Sequence, residues 1–277
     1  MARRQPIDEM GEDGDFDLDA LAQAEEDGDE WDDAGTGMGE DGKPLAGVEL
    51  METVRRLRGD KLLLSFSTGK DSLASWLYLR DHFEIIPYYL FWVPGLSWVD
   101  EALAYYEEWF GQHIIRMPHP IFYKYLNMYA YQTPERVATL MALDLPDFSY
   151  ADIENILAQW AGLDEPFAAV GMRAADNIDR RNMILQKGAI GMKRRRYYYP
   201  IWDWNIEQVA GIILEHDVKL PKDYEYWGRT IAAFDYQYIK PIATHFPEDF
   251  ERIKQWFPLI DLELMRYDEV GHGKSQN

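Results

Sequence analysis

The densest chemistry in the sequence lies in Ser67, Thr68, Gly69, Lys70, Asp71 and Ser72, with Ser65 and Phe66 just ahead of them. One ammonium, one carboxylate and several hydroxyls share a single turn. The apolar residues before it, Leu62, Leu63, Leu64 and Phe66, do not alternate, so they predict a buried strand. Leu73 to Leu79 continues beyond the turn as a helix. A strand, a tight turn and a helix start gather backbone N–H groups and the positive end of a helix dipole at one point, where phosphate is held. Lys70 adds a full charge; Ser67, Thr68 and Ser72 add donors. A Walker loop would need a Gly five residues before Gly69, and Leu64 stands there. A dinucleotide fingerprint would need three glycines, and Gly69 stands alone.

A second group of charges lies about a hundred residues on, in Gly171-Met172-Arg173-Ala174-Ala175-Asp176-Asn177-Ile178-Asp179-Arg180-Arg181. It follows a predicted strand and enters a helix. Guanidinium groups at the C-terminal edge of a parallel sheet suit multidentate contact with phosphate or sulfate. A third group, Lys193, Arg194, Arg195 and Arg196 followed by three tyrosines, is the densest positive run outside the N-terminal region. It reads equally as a guide for an anionic substrate or nucleic-acid strand and as a solvated loop. The six histidines show no metal-ligand spacing.

Residues 67–72 resemble the PP-loop, S-x-G-x-D-S, of ATP pyrophosphatases, and the preceding Ser65-Phe66 is most similar to the phosphoadenylylsulfate (PAPS) reductase branch. Residues 171–181 are similar to the family's G-x-R-x-x-[DE]-S-x-x-R stretch, with Asn177 where the family has Ser. Tyr199 to Gln208 and Leu220 to Gly228 resemble two further family segments, so the likeness runs in order from about Lys61 to Gly228. The resemblance implies a Rossmann-like adenine nucleotide alpha-hydrolase fold, α/β with a mostly parallel sheet and helices on both faces. It implies an enzyme that cleaves ATP between the α- and β-phosphates, with magnesium. In that reading Ser65, Ser67, Thr68, Gly69, Lys70, Asp71 and Ser72 hold the phosphates and Asp71 orients the metal. Phe91 and Trp92 border the adenine. Gly171 and Asp176 also line the nucleotide, and Arg173 with Arg180 or Arg181 faces the α-phosphate and the acceptor, which is sulfate or a nucleic-acid base by similarity; Lys70, Asp71 and Arg173 carry the catalysis. The family's reductases act through a cysteine, and this chain has none, so thiol chemistry does not carry over. Cysteine-free relatives imply an alternative, a regulator that binds nucleotide and a protein partner such as a ParB-like protein without catalysis.

The positioning elements follow from periodicity. A helix is predicted over Val48–Leu57, strands over Ile85–Trp92 and Gln112–Met117, and a helix over Trp98–Gly111 between them. Strand, helix, strand, helix, strand is the pattern of a parallel sheet. Residues 118–165 break it with three helical pieces, Phe122–Tyr131, Pro134–Leu143 and Ala151–Leu163, read as a helical insertion. A strand over Phe167–Gly171, a helix over Asn177–Gln186, a strand over Tyr197–Ile201 and a helix over Asn205–Asp217 resume it. The remainder is mixed and ends in a helix near Glu248–Trp256.

Of the chain's net charge of −21, residues 1–45 carry sixteen acidic and three basic residues. Residues 1–46 are therefore expected to be a disordered acidic tail ahead of one domain over 47–277. Phe16, Leu18 and Leu21 within acid suggest a segment that engages a protein partner. The alternating Asp13, Asp15, Asp17 and Asp19 lack a calcium loop's Gly and closing Glu. The mildly acidic body disfavours sequence-independent DNA binding. The most apolar run, Ile85 to Val99, is broken by Pro87, Pro94 and Gly95, so no membrane span is expected. The absence of cysteine and of a leader-like N-terminus fits the cytoplasm.

Overall fold

A computed structural model describes residues 37–192, 196–230 and 233–272, with side chains through residue 266. Six strands, β1 (Lys61–Ser65), β2 (Glu84–Phe91), β3 (Ile115–Pro118), β4 (Ala168–Val170), β5 (Ile190–Met192) and β6 (Arg196–Tyr198), form one sheet in the order β3-β2-β1-β4-β6-β5. Every neighbouring pair is parallel except β5 with β6. The chain runs outward from β1 to β3, then returns to the other side of β1 as β4. The sheet's direction of winding therefore reverses between β1 and β4. Open α/β sheets bind ligands outside the C-terminal ends of the strands at such a reversal.

Alternation along β1 sends side chains to two cores. Leu62 and Leu64 join the larger cluster with Trp76, Tyr106 and Ile213, whereas Leu63 packs with Ile86, Tyr88, Ile153 and Leu157. The larger face is covered by α1 (Gly47–Arg58), α2 (Lys70–Leu79), α3 (Ser97–Phe110) and, beyond α7 (Ile178–Lys187), by α8 (Ile206–Glu215). The other face is covered by α6 (Tyr150–Ala161), the third helix of the β3-to-β4 connection after α4 (Pro120–Asn127) and α5 (Pro134–Leu143). The expected insertion is thus the crossover that closes the second face. Ser149 and Asp152 start α6 with a reciprocal capping box, and Asn205 with Gln208 starts α8 the same way. Glu154 lies inside α6, buried, and accepts the Tyr88 hydroxyl at 2.5 Å.

Two expectations shift. The antiparallel strand β5 has no signal in the sequence, because three residues give too short a pattern. Beyond α9 (Asp223–Trp227), α10 (Tyr236–His245) precedes α11 (Pro247–Trp256), and α12 (Asp261–His272) follows it. Of the acidic tail, residues 1–36 lie outside the described residues, but residues 37–46 pack on the body. Leu45 is buried, its carbonyl accepts the Trp202 indole N–H at 2.8 Å, and Met38 pairs with Pro44 in an antiparallel bridge. Charge composition marks a boundary at 46, whereas one buried leucine and its neighbours attach residues 37–46 to the body. Among the described residues, no helix is long and apolar enough to cross a membrane.

Candidate functional site

The turn after β1 and the turn after β4 meet at the reversal point. Gly171, just past β4, lies so close to α2 that a Cβ there would stand 2.7 Å from the Asp71 carbonyl carbon and the Ser72 nitrogen. Only glycine permits that approach. It lets the β4 turn lie on the start of α2 and sets Arg173 beside Asp71.

The first turn of α2 begins at Gly69, which has no side chain to cap the helix. The turn instead satisfies its own amides with hydroxyls. Ser67 N–H donates to Ser72 Oγ at 3.2 Å, and Gly69 N–H to Ser67 Oγ at 3.4 Å, the latter a weak bond. Ser72 Oγ also donates to the Gly69 carbonyl at 2.9 Å. Thr68 sits in the left-handed region at φ 62°, with its hydroxyl on the Ser67 carbonyl at 2.6 Å. A non-glycine residue held there costs on the order of 1–3 kcal/mol. Lys70 N–H donates to the hydroxyl of Tyr224 at 2.8 Å, from α9 far down the chain.

The charges form one line. Lys70 Nζ lies 2.6 Å from Asp71 Oδ2, and Asp71 Oδ1 lies 2.7 Å from Arg173 Nε. Arg173 also binds Asp176 through its Nη2. The guanidinium side chain is only 5% exposed. Its Nε–H does not point along the line to Asp71, so neither Nε nor Oδ1 has a hydrogen-bond partner despite their proximity. A buried charge pair with unfilled bonding capacity is costly to keep. The Tyr224 phenol beside this line is pushed up to about 12, by burial first and by the nearby Asp71 and Asp223 charges, against the Lys70 amide and Arg173, which pull it down. It is protonated at neutral pH.

The predicted residues therefore separate into groups. Ser67, Thr68, Gly69, Lys70, Asp71, Ser72, Gly171, Arg173 and Asp176 come together, with Ser65 at the end of β1 between Tyr88 and Val170. Asn177 caps α7 by accepting the Asp179 N–H at 2.6 Å, a task that Ser performs equally well. Arg180 and Arg181 follow in the first turn of α7, Arg181 exposed. Trp92 does not present a face for adenine: it is 5% exposed and packed against His119, Tyr125 and Phe234. Phe91 is half-buried at the end of β2. Lys193, Arg194 and Arg195 lie outside the described residues. Arg196 opens β6, which runs parallel to β4, and it pairs with Glu165 at 3.3 Å. It therefore stands at the opposite edge of the sheet from Lys70 and does not join that site. The basic run looked like part of one anion patch because sequence carries no information about which sheet edge a strand's first residue occupies.

Sequence reasoning missed Tyr224 and Thr230. Thr230 Oγ1 lies 3.5 Å from where a Cβ on Gly69 would be. Only the long-range path of the chain brings these hydroxyls to the turn. Asp71 has a cation against each of its oxygens, so it is not a free metal ligand in this arrangement, and among the described residues no group of three His, Cys, Asp or Glu is placed to hold an ion. For an anion the fit is better: unfilled donor capacity on buried Arg173, amides at the start of α2, and a lysine able to change partners. No protein-family model matches this chain, and no curated protein matches it with significance.

Proposed function

We propose that the turn over residues 67–72, with Arg173, binds the phosphates of an adenine nucleotide, and that the chain is an adenylyl-transferring enzyme of the PP-loop type on an adenine nucleotide alpha-hydrolase fold. The observation that carries this reading is the meeting of the two turns at the sheet's reversal point, where Gly171 seats Arg173 against Asp71 and the start of α2. The PP-loop spacing and the position of α/β ligand crevices support the same place.

The residues have distinct tasks in this mechanism. Lys70 leaves Asp71 for an oxygen of the β- or γ-phosphate, exchanging one ion pair for another. The amides of the α2 turn and the dipole behind them bear on the same phosphates. An acceptor oxygen or nitrogen attacks the α-phosphorus, the bond from it to the bridging oxygen breaks, and pyrophosphate leaves with the electron pair. Arg173, fixed by Asp176, stabilises charge that grows on the α-phosphate oxygens during that attack. A magnesium ion accompanying the nucleotide's phosphates would have Asp71 as its nearest carboxylate and would supply charge neutralisation of the departing pyrophosphate. The chain's lack of cysteine rules out the thiol chemistry of the sulfonucleotide reductases for this chain acting alone.

Lys70→Ala tests the cradle. It removes one charge-assisted phosphate contact, and ATP affinity should fall about 10- to 100-fold by calorimetry. Unchanged affinity defeats the assignment. Nucleotide binding without pyrophosphate release, across sulfate and nucleic-acid acceptors, leaves the non-catalytic regulator instead.

A further inference from the structure

The first amide of α2 is already taken. Gly69 offers no cap, and Lys70 N–H donates to Tyr224 Oη at 2.8 Å. A helix start that binds phosphate presents this same group to a ligand oxygen. The neutral phenol accepts the amide bond in the place of that oxygen, and it arrives on a short, held segment. Lys222 ties the segment to Glu101 of α3 at 2.6 Å, and the Tyr106 hydroxyl donates to the Lys219 carbonyl at 2.8 Å. Gly228 then ends α9 in the left-handed region at φ 68°, and Thr230 turns back to Gly69. The segment thus bonds the turn at the Lys70 amide and sets Thr230 over the open side of Gly69. Beside them, Arg173 is nine-tenths buried with its Nε–H unbonded, so the donors of this turn are only partly satisfied when Tyr224 is in place.

We propose that Tyr224 is a built-in occupant of the anion cradle, holding the Lys70 amide that a ligand phosphate must take, so that residues 221–230 keep the site closed until a phosphoanhydride displaces the hydroxyl. The proposal rests on the phosphate-binding reading above and names how that site is controlled. Displacement is feasible because an ionised phosphate oxygen is a stronger acceptor than a neutral phenol. The competing bond lowers ligand affinity without abolishing it. Its loss is worth about a three- to tenfold change. Tethering keeps the competitor at a constant local concentration, so closure does not depend on protein dilution.

Tyr224→Phe keeps the ring and deletes the hydroxyl. Two measurements on the full chain read the result: amide exchange at Lys70 without ligand, and calorimetry with inorganic pyrophosphate and with ATP. The expected result is faster exchange at Lys70 in the variant, together with about three- to tenfold tighter binding of both ligands. Unchanged exchange at Lys70 overturns the proposal, as does equal or weaker ligand binding by the variant when wild type binds, which would make the phenol a bystander or a ligand contact. If neither protein binds pyrophosphate or ATP although Lys70 exchange is faster in the variant, the phosphate reading is overturned and the proposal with it. The two failures are thereby distinct.

Discussion

Lys70, Asp71, Arg173 and Asp176 alternate cation and anion along one line, with Arg173 buried in the middle. A balanced line attracts a phosphate only by exchanging partners, so its most valuable member is the one whose geometry cannot be copied. Arg173 is that member, because one planar group bonds Asp176 while lying in ion-pair distance of Asp71. Arg173→Lys keeps the charge but serves only one carboxylate well. Thermal melts should show a loss of about 1–3 kcal/mol in stability, since the buried guanidinium's bond to Asp176 or its ion pair with Asp71 is given up. In an enzyme the same change should lower single-turnover pyrophosphate release on the order of 100-fold, well beyond its effect on equilibrium ATP binding. Equal losses in turnover and binding favour the regulator, which has no transition state to stabilise.

The elements matter through their ends. α2 is buried on most sides, by Leu73, Ala74, Trp76, Leu77 and Leu79, so its start is fixed relative to the sheet. The β4 turn reaches that start only through Gly171. Gly171→Ala sets a methyl group 2.7 Å from the Asp71 and Ser72 backbone, and backbone cannot rotate away as a side chain does. The expected cost is about 1–3 kcal/mol by denaturant titration, accompanied by weaker nucleotide binding as Arg173 moves off Asp71. A variant with unchanged stability and binding would show that the two turns need not touch. The helical crossover acts at its ends as well: His119 caps α4 by accepting the Ile121 N–H at 3.1 Å, and its other ring nitrogen lies 3.0 Å from the Tyr150 hydroxyl at the start of α6. One imidazole therefore ties the starts of α4 and α6 to Trp92, just past the end of β2.

For the molecule as a whole, the reversal between β1 and β4 decides where chemistry can occur, and the packed strip at residues 37–46 decides where the body begins. A chain starting at residue 47 loses Leu45 from the core and leaves the Trp202 N–H without its carbonyl. Compared with a chain starting at residue 37, it should be less stable by about 2–4 kcal/mol, the sum of one buried leucine and one hydrogen bond. Thermal melts of the two truncations check this. Equal melting temperatures would mean that the strip rests on the surface without stabilising it.

What was legible in the sequence was local. Strand, turn and helix around residues 62–79 follow from an unbroken apolar run, a small polar turn and helical periodicity, all within one segment. The capping pairs Ser149 with Asp152 and Asn205 with Gln208 were legible for the same reason. The alliance of residues 67–72 with Arg173 was legible only through the order of motifs, and their contact depends on the β1–β4 pairing and on Gly171. Three features had no local signature. Arg196 falls at the far edge because parallel pairing with β4 orients its strand. Trp92 is consumed by packing, because aromatic side chains make the same pattern whether they stack on a ligand or on each other. Tyr224 reaches Lys70 across more than 150 residues, and that contact exists only because the last third of the chain folds back over the site. Spacing along a chain determines which groups one turn or helix presents; which groups share a crevice is determined by strand order, and strand order is set by burial across the whole sheet.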